Sequence, residues 1–227
     1  QSGTFTHFGP QSDNPDNIPL DFINVLSADN KGNLWIGTER KGLAVYDISE
    51  NELKTYPVLL DQFDAAGLSH YHIEAIYPEN ENKMWIATLG GGLSLLNLST
   101  STFRHFYYLE DVDGALSKNS VYSVFKDRWG NLWVGTEGGG LNFSDAYKKQ
   151  FAHFRTHSGD PSSLSSNSIL TVLEDKPGRF WLGTDVGGLN YFNSRTGKFQ
   201  SFNHDPGNPG SITQNVITSL CKDKDGK

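Results

Sequence analysis

The sequence predicts an all-β fold in which a four-stranded antiparallel sheet is repeated along the chain. Three observations predict it. A segment of the type Leu-Trp-Ile-Gly-Thr recurs in steps of 50, 48 and 48 residues, with its tryptophans at Trp35, Trp85, Trp133 and Trp181. Short apolar runs rich in β-branched and aromatic residues lie between these segments, and the chain of 227 residues contains 24 glycines. Such runs indicate strands, and self-similarity at a period in the forties is typical of a repeat architecture.

Each repeat contains four apolar segments, which we name strands A to D in chain order. Strand A starts with two aliphatic residues three positions apart, as at Val121 and Val124, and strand B carries the tryptophan. Strand C begins at residues such as Leu141, and strand D carries two aromatic residues three positions apart, as at Phe151 and Phe154. No segment has the periodicity of a long helix.

Turn residues separate these strands. An Asp-x-x-Gly pattern lies between strands A and B, with its aspartates at Asp29, Asp127 and Asp175. Such an aspartate accepts a hydrogen bond from the backbone two residues later, and the glycine supplies a positive φ. Glycine clusters such as residues 138–140 reverse the chain between strands B and C. Each repeat is therefore predicted to be a four-stranded meander.

A four-stranded sheet repeated at this period, with a tryptophan in one strand, is typical of a β-propeller blade. Alternate residues of a strand point to opposite faces, so Leu34 and Ile36 lie on one face and Trp35 on the other. A blade therefore needs a neighbour on each side, and we expect the tryptophans to pack one blade against the next. The residue two positions after the tryptophan of strand B is small, and we expect the glycines there, Gly37, Gly135 and Gly183, to leave room for a neighbouring aromatic side chain.

The strand count predicts an incomplete arc of a larger propeller, which we expect to have seven blades. The predicted units are a lone outer strand at 1–9, blades at 20–58, 70–108, 119–156 and 167–203, and a lone inner strand at 215–222. The first and last units together would lack strands B and C. Their end strands would then be open to pairing with another chain.

Composition and motifs exclude several functions. The formal charge of −7 argues against nucleic acid and against contact with an acidic membrane surface, because both favour a basic face. His70 and His72 form a close pair without a third ligand, and the Asp-x-x-Gly turns lack the further carboxylates that calcium needs. No nucleophile elbow, zinc-helix motif or phosphate-binding loop is present. We therefore expect no catalytic residues, no metal and no cofactor.

The repeat resembles a known family. The run Asn131-Leu132-Trp133-Val134-Gly135-Thr136, followed four residues later by Gly140-Leu141 and preceded by Asp127 and Gly130, resembles the two-component regulator propeller repeat. Such repeats are typical of the sensor regions of hybrid two-component systems, best known from gut Bacteroides. In that family the propeller stands in the periplasm, ahead of a transmembrane helix and kinase modules, and many members sense glycans.

The resemblance implies a role for this chain. It would be a non-catalytic periplasmic part of a sensor histidine kinase, joined to the remainder of the propeller and of the sensor chain. It would recognise an oligosaccharide, and the full-length protein would be a homodimer whose contacts regulate the kinase.

The long connections between strands D and A are predicted to form the binding face. Strand direction alternates, so these connections and the B-to-C turns share one end of each blade. The only variation in connection length lies in residues 57 to 72. Three of the loops end in Ser or Thr, one residue and Asn, which indicates a structural cap, whereas the other two carry Asp21 and Tyr71 in the Asn position. Loops on a rigid scaffold are where binding residues collect.

The candidate ligand-binding residues come from these irregular loops, from the variable second position of strand A and from one B-to-C turn. They are Asp21, Asn24, Arg40, Tyr71, His72, Glu74, Asn119 and Tyr122. Flat aromatic faces beside convergent polar groups suit a sugar-like ligand. Two alternatives stay open at this point. In the first, the long loops form only a hydrated channel mouth, and the propeller is a protein-interaction scaffold with no ligand of its own. In the second, the propeller is a lyase or hydrolase.

Overall fold

The computed structural model describes residues 22–59, 65–145 and 150–223, and its strands fall into four blades. Blade 1 contains β1 (Ile23–Ala28), β2 (Leu34–Thr38), β3 (Leu43–Asp47) and β4 (Glu52–Thr55). Blade 2 contains β5 (Ile73–Asn80), β6 (Lys83–Thr88), β7 (Leu93–Asn97) and β8 (Thr102–Phe106). Blade 3 contains β9 (Val121–Lys126), β10 (Leu132–Thr136), β11 (Gly140–Ser144) and β12 (Phe151–Phe154). Blade 4 contains β13 (Ile169–Lys176), β14 (Arg179–Thr184), β15 (Leu189–Asn193) and β16 (Lys198–Phe202).

Each blade is a four-stranded antiparallel sheet whose spatial order equals its chain order, which confirms the predicted meander. The described residues contain no helix. Strands A of successive blades lie against one another, β1 against β5, β5 against β9 and β9 against β13. Strand A is therefore the innermost strand of each blade, and strands D form the outer rim.

The four blades form an open arc, as predicted. Ile23 and Leu26 at the start of blade 1 are 48% and 56% exposed, whereas the equivalent Ile73 of blade 2 is fully buried by blade 1. One side of blade 1 thus lacks a neighbour among the described residues. At the other end Ile217 lies against Gly183 of blade 4, where a further strand A would pack. Residues 215–222 have no strand partner within the described part of the chain, and the predicted outer strand at 1–9 lies outside it.

Three of the four strand B tryptophans, Trp35, Trp85 and Trp133, pack in clusters that join successive blades. Trp35 of blade 1 lies in one cluster with Ile73 and Met84 of blade 2. Trp133 of blade 3 lies in another with Phe180 and Leu182 of blade 4. A third cluster joins blades 2 and 3 around Trp85. The hydrophobic core is therefore a series of interfaces between blades.

The aspartate of the Asp-x-x-Gly turn does more than shape that turn. In blade 3 its Oδ1 accepts hydrogen bonds from the backbone N–H groups of Trp129 and Asn131. Its Oδ2 accepts bonds from the amide of Asn131 and, at 3.0 Å, from the indole Nε1 of Trp133. The aspartate is Asp127, and Asp29 makes the same set of bonds in blade 1. Burial acts to raise the pKa of Asp29, but the hydrogen bonds from Trp35, Asn33 and Lys31 lower it below its ordinary value.

The other two blades vary this link. In blade 2 the indole Nε1 of Trp85 donates to Glu79 at 2.7 Å. In blade 4 the aspartate Asp175 accepts a bond from the hydroxyl of Tyr191. A carboxylate at the end of strand A or in the turn after it thus bonds an aromatic residue of its own blade in all four cases.

The strand B glycines Gly37 and Gly135 lie against strand A of their own blade and strand A of the next, so the expectation of a neighbouring aromatic there is wrong. A Cβ at Gly135 would lie 2.3 Å from Ser123 Oγ and 2.7 Å from the backbone oxygen of Ile169. A Cβ at Gly37 would meet Ile73 in the same way, at 2.7 Å. Blades converge toward the axis, and at this depth the nearest atoms belong to strand A of the same blade and to strand A of the next blade.

Replacing Trp133 with Ala should lower the free energy of unfolding by about 3–5 kcal/mol, because it removes a buried aromatic from the interface between blades 3 and 4. Urea denaturation measures the change. The matched control is Trp129→Ala, because that tryptophan is 54% exposed and its loss should cost much less. Equal losses for the two variants would contradict the packing role.

Replacing Gly135 with Ala should destabilise the protein by about 1–3 kcal/mol, since the new methyl group overlaps backbone atoms of the next blade. The same change at Gly207, whose Cβ would meet nothing closer than 3.4 Å, serves as the control. Thermal unfolding of the two variants measures the difference. A Gly135→Ala variant as stable as the Gly207→Ala variant would show that blades can separate there without cost.

Candidate ligand-binding site

The long connections and the B-to-C turns share one face, as the alternation of strand direction predicts. In every blade a backbone N–H of the B-to-C turn donates to the carbonyl oxygen that ends the following D-to-A loop. The pairs are Gly42 to Tyr71, Gly92 to Asn119, Gly140 to Asn167 and Gly188 to Asn215, at 2.7 to 2.9 Å. We call this end of the arc the long-loop face. These bonds tie each loop to the preceding blade, so the face is held by backbone contacts.

The asparagine that ends three of these loops is a structural cap. Oδ1 of Asn119 accepts a bond from the backbone N–H of Tyr108 at 2.7 Å, and Asn167 and Asn215 make equivalent bonds in their own loops. In the irregular loop the same position holds Tyr71, whose ring stacks on His70 at 4.3 Å and is 38% exposed. The loop that lacks the cap thus presents an aromatic surface instead.

A β-bulge places the variable second residue of strand A outside the strand ladder. In blade 2 Ile73 pairs with Thr88 and Ala75 with Ala87, so Glu74 has no partner in strand B. The same break occurs in the other three blades at Asn24, Tyr122 and Leu170. Bulges of this kind re-aim a side chain and are common beside functional sites. Because the side chain at this position takes no part in the regular strand pairing, the residue type there can differ from blade to blade.

The bulges of blades 2 and 3 bring predicted residues together near the innermost end of the long-loop face. Nε2 of His72 lies 2.9 Å from Oε1 of Glu74, and both side chains are mostly buried. Burial raises the pKa of Glu74; His72 acts to lower it, and the charges of Glu137 and Glu39 raise it further. The net direction is upward. Glu74 is thus a carboxyl group that is partly shielded from water and lies near other acidic side chains.

The carboxylates around this point come from several blades. Burial raises the pKa of Tyr122, and the charges of Glu137, Glu74 and Asp185 and a hydrogen bond with Glu137 raise it further. Three of these acids occupy the first position after strand B, where their backbone N–H groups donate to the start of strand A in their own blade; they are Glu39, Glu137 and Asp185. We name Glu39, Glu74, Glu137 and Asp185 the axial acidic cluster.

The remaining predicted residues have more local roles. Asn24 donates from Nδ2 to the carbonyl oxygen of Ile73 at 3.2 Å, which links blade 1 to blade 2. Arg40 bonds Glu39 at 3.3 Å and lies over the ring of Phe22. Asp21 lies outside the described residues. The structure therefore brings His72, Glu74 and Tyr122 to one point and leaves Asn119 in its loop.

Sequence reasoning missed three acids of the cluster and two grooves on the opposite face. Glu137 and Asp185 could have been found by comparing the position after strand B in each repeat. The grooves lie between blades 1 and 2 and between blades 2 and 3, with volumes of about 260 and 210 Å³. Both are lined by A-to-B turns and by strands B to D, and the ends of strands β5 and β9 add Glu79 and Lys126 to the groove between blades 2 and 3. Neither groove contains a predicted ligand-binding residue.

The described residues contain no group of three or more His, Cys, Asp or Glu side chains arranged to hold a metal ion. Within the same residues no helix has the length and apolar character needed to cross a membrane.

Comparison with known proteins identifies the repeat. The family model described as two component regulator propeller matches residues 17–40, 115–138 and 163–186. No curated protein matches the chain.

Solved structures share the fold. The extracellular domain of a putative hybrid two component system from B. thetaiotaomicron superposes with a TM-score of 0.77 at 25% identity, over 91% of this chain and 27% of that one. A second such domain from the same organism gives 0.66 at 25% identity, over 80% and 25%. PorZ of Porphyromonas gingivalis, a surface component of the type-IX secretion system, gives 0.62 at 18% identity over 88% and 29%, which shows a likeness of fold alone. The chain spans about a quarter of the length of the first two proteins.

The raised pKa of Glu74 predicts how stability depends on pH. Because the folded state binds this proton more tightly than the unfolded chain, stability rises as pH falls through the folded-state pKa toward the ordinary value of 4.5. As the pH falls through that interval, the wild-type protein should therefore gain stability relative to the Glu74→Gln variant. At neutral pH the stability of wild type relative to the variant should be lowest. Thermal unfolding of both proteins between pH 4.5 and 8 measures this. A difference independent of pH would contradict the burial of a charged Glu74.

Proposed function

Because the chain carries two-component regulator propeller repeats, we propose that it is a non-catalytic part of the extracytoplasmic sensor domain of a hybrid two-component signalling protein. Two similar structures are extracellular domains of putative hybrid two component systems. A periplasmic position ahead of a membrane anchor and a histidine kinase agrees with that likeness. The structure supports a role in recognition because its variable residues lie at the bulged ends of rigid strands.

The ligand that fits the long-loop face best is a glycan. The convergence of His72, Glu74 and Tyr122 beside the axial acidic cluster carries this proposal. Carboxylates accept strong hydrogen bonds from hydroxyl groups, and sugars present several such donors side by side. Tyr71 stands nearby in sequence with its ring partly exposed and stacked on His70, which offers a flat surface for the C–H face of a sugar ring.

The acidic character of the cluster also selects among glycans. Like charges repel in a partly dry site, so a sulfated or carboxylated saccharide would be disfavoured there. Neutral oligosaccharides, or saccharides with an amino group, fit the charge of Glu39, Glu74, Glu137 and Asp185. We propose that such a ligand contacts blades 2 and 3 together and so biases the dimer contacts that regulate the kinase. A ligand shifts such an equilibrium only by its difference in affinity for the two arrangements.

A thermal-shift screen of neutral oligosaccharides against this protein tests the proposal. At least one should stabilise it, and both Tyr71→Ala and Glu74→Gln should weaken binding roughly tenfold or more, which corresponds to about 1.4 kcal/mol. Ile48→Ser is the matched control. Ile48 is 62% exposed and lies in the C-to-D turn of blade 1, on the face opposite the axial acidic cluster. Calorimetric titration of the best ligand against the three variants gives the affinities. Binding that survives both long-loop changes would refute the site.

A protein-interaction scaffold is the second candidate, and one observation favours it. The D-to-A loop between blades 2 and 3 exposes Tyr108, Leu109 and Val112 by 40%, 51% and 50%. Contiguous exposed apolar side chains of this kind mark contact surfaces. If no oligosaccharide stabilises the protein, this loop becomes the surface to change, with Leu109→Ser and Val112→Ser tested for loss of self-association.

A further inference from the structure

The groove between blades 2 and 3, on the face opposite the axial acidic cluster, has an aromatic floor. Trp85, Phe106 and Phe151 form it, with ring centroids 5.5 Å apart for Trp85 and Phe106 and 6.2 Å apart for Phe106 and Phe151. Trp85 and Phe151 are 9% and 7% exposed, and Phe106 is half-buried. The groove has a volume of about 210 Å³. Drug-sized ligands occupy roughly 300–1,000 Å³, so this groove suits a single small ring.

The rim of this groove carries more basic than acidic side chains. Lys83, Arg104 and Lys126 face Glu79 and Asp145 around it. Glu79 is already occupied, because one carboxylate oxygen binds Nζ of Lys126 at 2.6 Å and the other accepts the indole N–H of Trp85. Neither Lys83 nor Arg104 forms an ion pair with any of the described residues. A chain with a net charge of −7 thus offers two cations beside an apolar floor.

Arg104 is arranged to bind a planar anion. Its guanidinium carbon lies 4.9 Å from the centroid of the Phe106 ring, and this contact holds the guanidinium against the ring. The N–H groups along its edge are left without a carboxylate among the described residues. A guanidinium with a free edge binds a carboxylate through two parallel hydrogen bonds, which a lysine cannot do.

The equivalent groove between blades 1 and 2 has the same architecture and a different charge. Lys54 stands in the position of Arg104 and Tyr56 in that of Phe106. Two acids, Asp29 and Asp47, and a second lysine, Lys31, also line this groove, so its formal charges cancel, whereas the groove between blades 2 and 3 has one excess positive charge. Lys54 is paired with Glu52 at 3.2 Å. The preference for an anion therefore belongs to the groove between blades 2 and 3, and the groove between blades 1 and 2 is an internal control.

We propose that the groove between blades 2 and 3 binds a carboxylate carried by a ring of monosaccharide size, with the chemistry of a hexuronic acid. Arg104 holds the carboxylate through both of its oxygens, and Lys83 adds a second positive charge. The C–H face of the ring lies against the aromatic floor, as sugar rings do on aromatic side chains. This site is separate from the long-loop face and has the opposite charge preference.

Ligand-observed NMR and calorimetric titration with D-glucuronate at low salt test this proposal. D-glucose, which lacks the carboxylate, and acetate, which lacks the ring, are the reference ligands, and both should bind at least tenfold more weakly. Arg104→Gln and Lys83→Gln should each reduce the affinity for glucuronate, the first by about tenfold or more. Lys54→Gln in the equivalent groove and Glu74→Gln on the long-loop face should leave it unchanged.

Several results would overturn the proposal. Glucuronate binding that is unchanged in both Arg104→Gln and Lys83→Gln would remove the groove as the site. Acetate bound as tightly as glucuronate would show that charge attraction alone explains binding and that the sugar ring has no part in it. Glucose bound as tightly as glucuronate would show that the carboxylate has no part in it. Should Arg104→Gln lose its far-UV circular dichroism signal, the Lys83→Gln variant alone decides. Loss of glucuronate binding in Glu74→Gln would move the site to the other face.

Discussion

In blades 1, 2 and 3 a hydrogen bond joins the strand B tryptophan to a carboxylate at or just after the end of strand A, and the contacts between successive blades depend on it. A tryptophan can be buried between two blades only if its indole N–H finds an acceptor. In blade 3 Asp127 supplies that acceptor for Trp133, and the same carboxylate bonds the backbone of the A-to-B turn. One side chain thus couples the shape of a turn to the interface with the next blade. In blade 2 Glu79 accepts the indole N–H of Trp85 and also binds Lys126 of blade 3, while the side chain of Asn80 bonds the turn backbone.

This constraint separates the residues that hold the scaffold from those that are free to change. Residues in the strand ladder must fit a neighbouring blade at a distance that admits no extra methyl group, as Gly135 shows beside Ile169. The bulged residue of strand A is exempt, because it has no partner in strand B. Asn24, Glu74, Tyr122 and Leu170 therefore differ while their neighbours repeat. Variation concentrates at the inner end of the long-loop face for a geometric reason, and recognition can evolve there without loss of packing.

Most of the fold could be predicted from the sequence, because the repeat reveals the strands, the turns and the face that carries the long loops. The details of the site could not. The bulge at Glu74 depends on the register between strands, and composition and spacing do not reveal a register. Glu39, Glu137 and Asp185 are far apart in the chain, and their charges act on Glu74 or Tyr122 only because the blades are arranged around an axis. The neighbours of Gly37 and Gly135 were assigned wrongly for the same reason, since contacts between blades depend on how steeply they converge.

The axial acidic cluster and the groove between blades 2 and 3 lie at opposite ends of the same two strands. Strand β5 carries Glu74 near its first residue and Glu79 near its last, and β9 carries Tyr122 and Lys126 in the same way. The Glu79–Lys126 ion pair at 2.6 Å joins these strands at the groove end. Two ligands, one at each end, would contact the same pair of blades. Any change in the angle between blades 2 and 3 would therefore alter both sites, and by linkage each ligand would affect the affinity of the other equally.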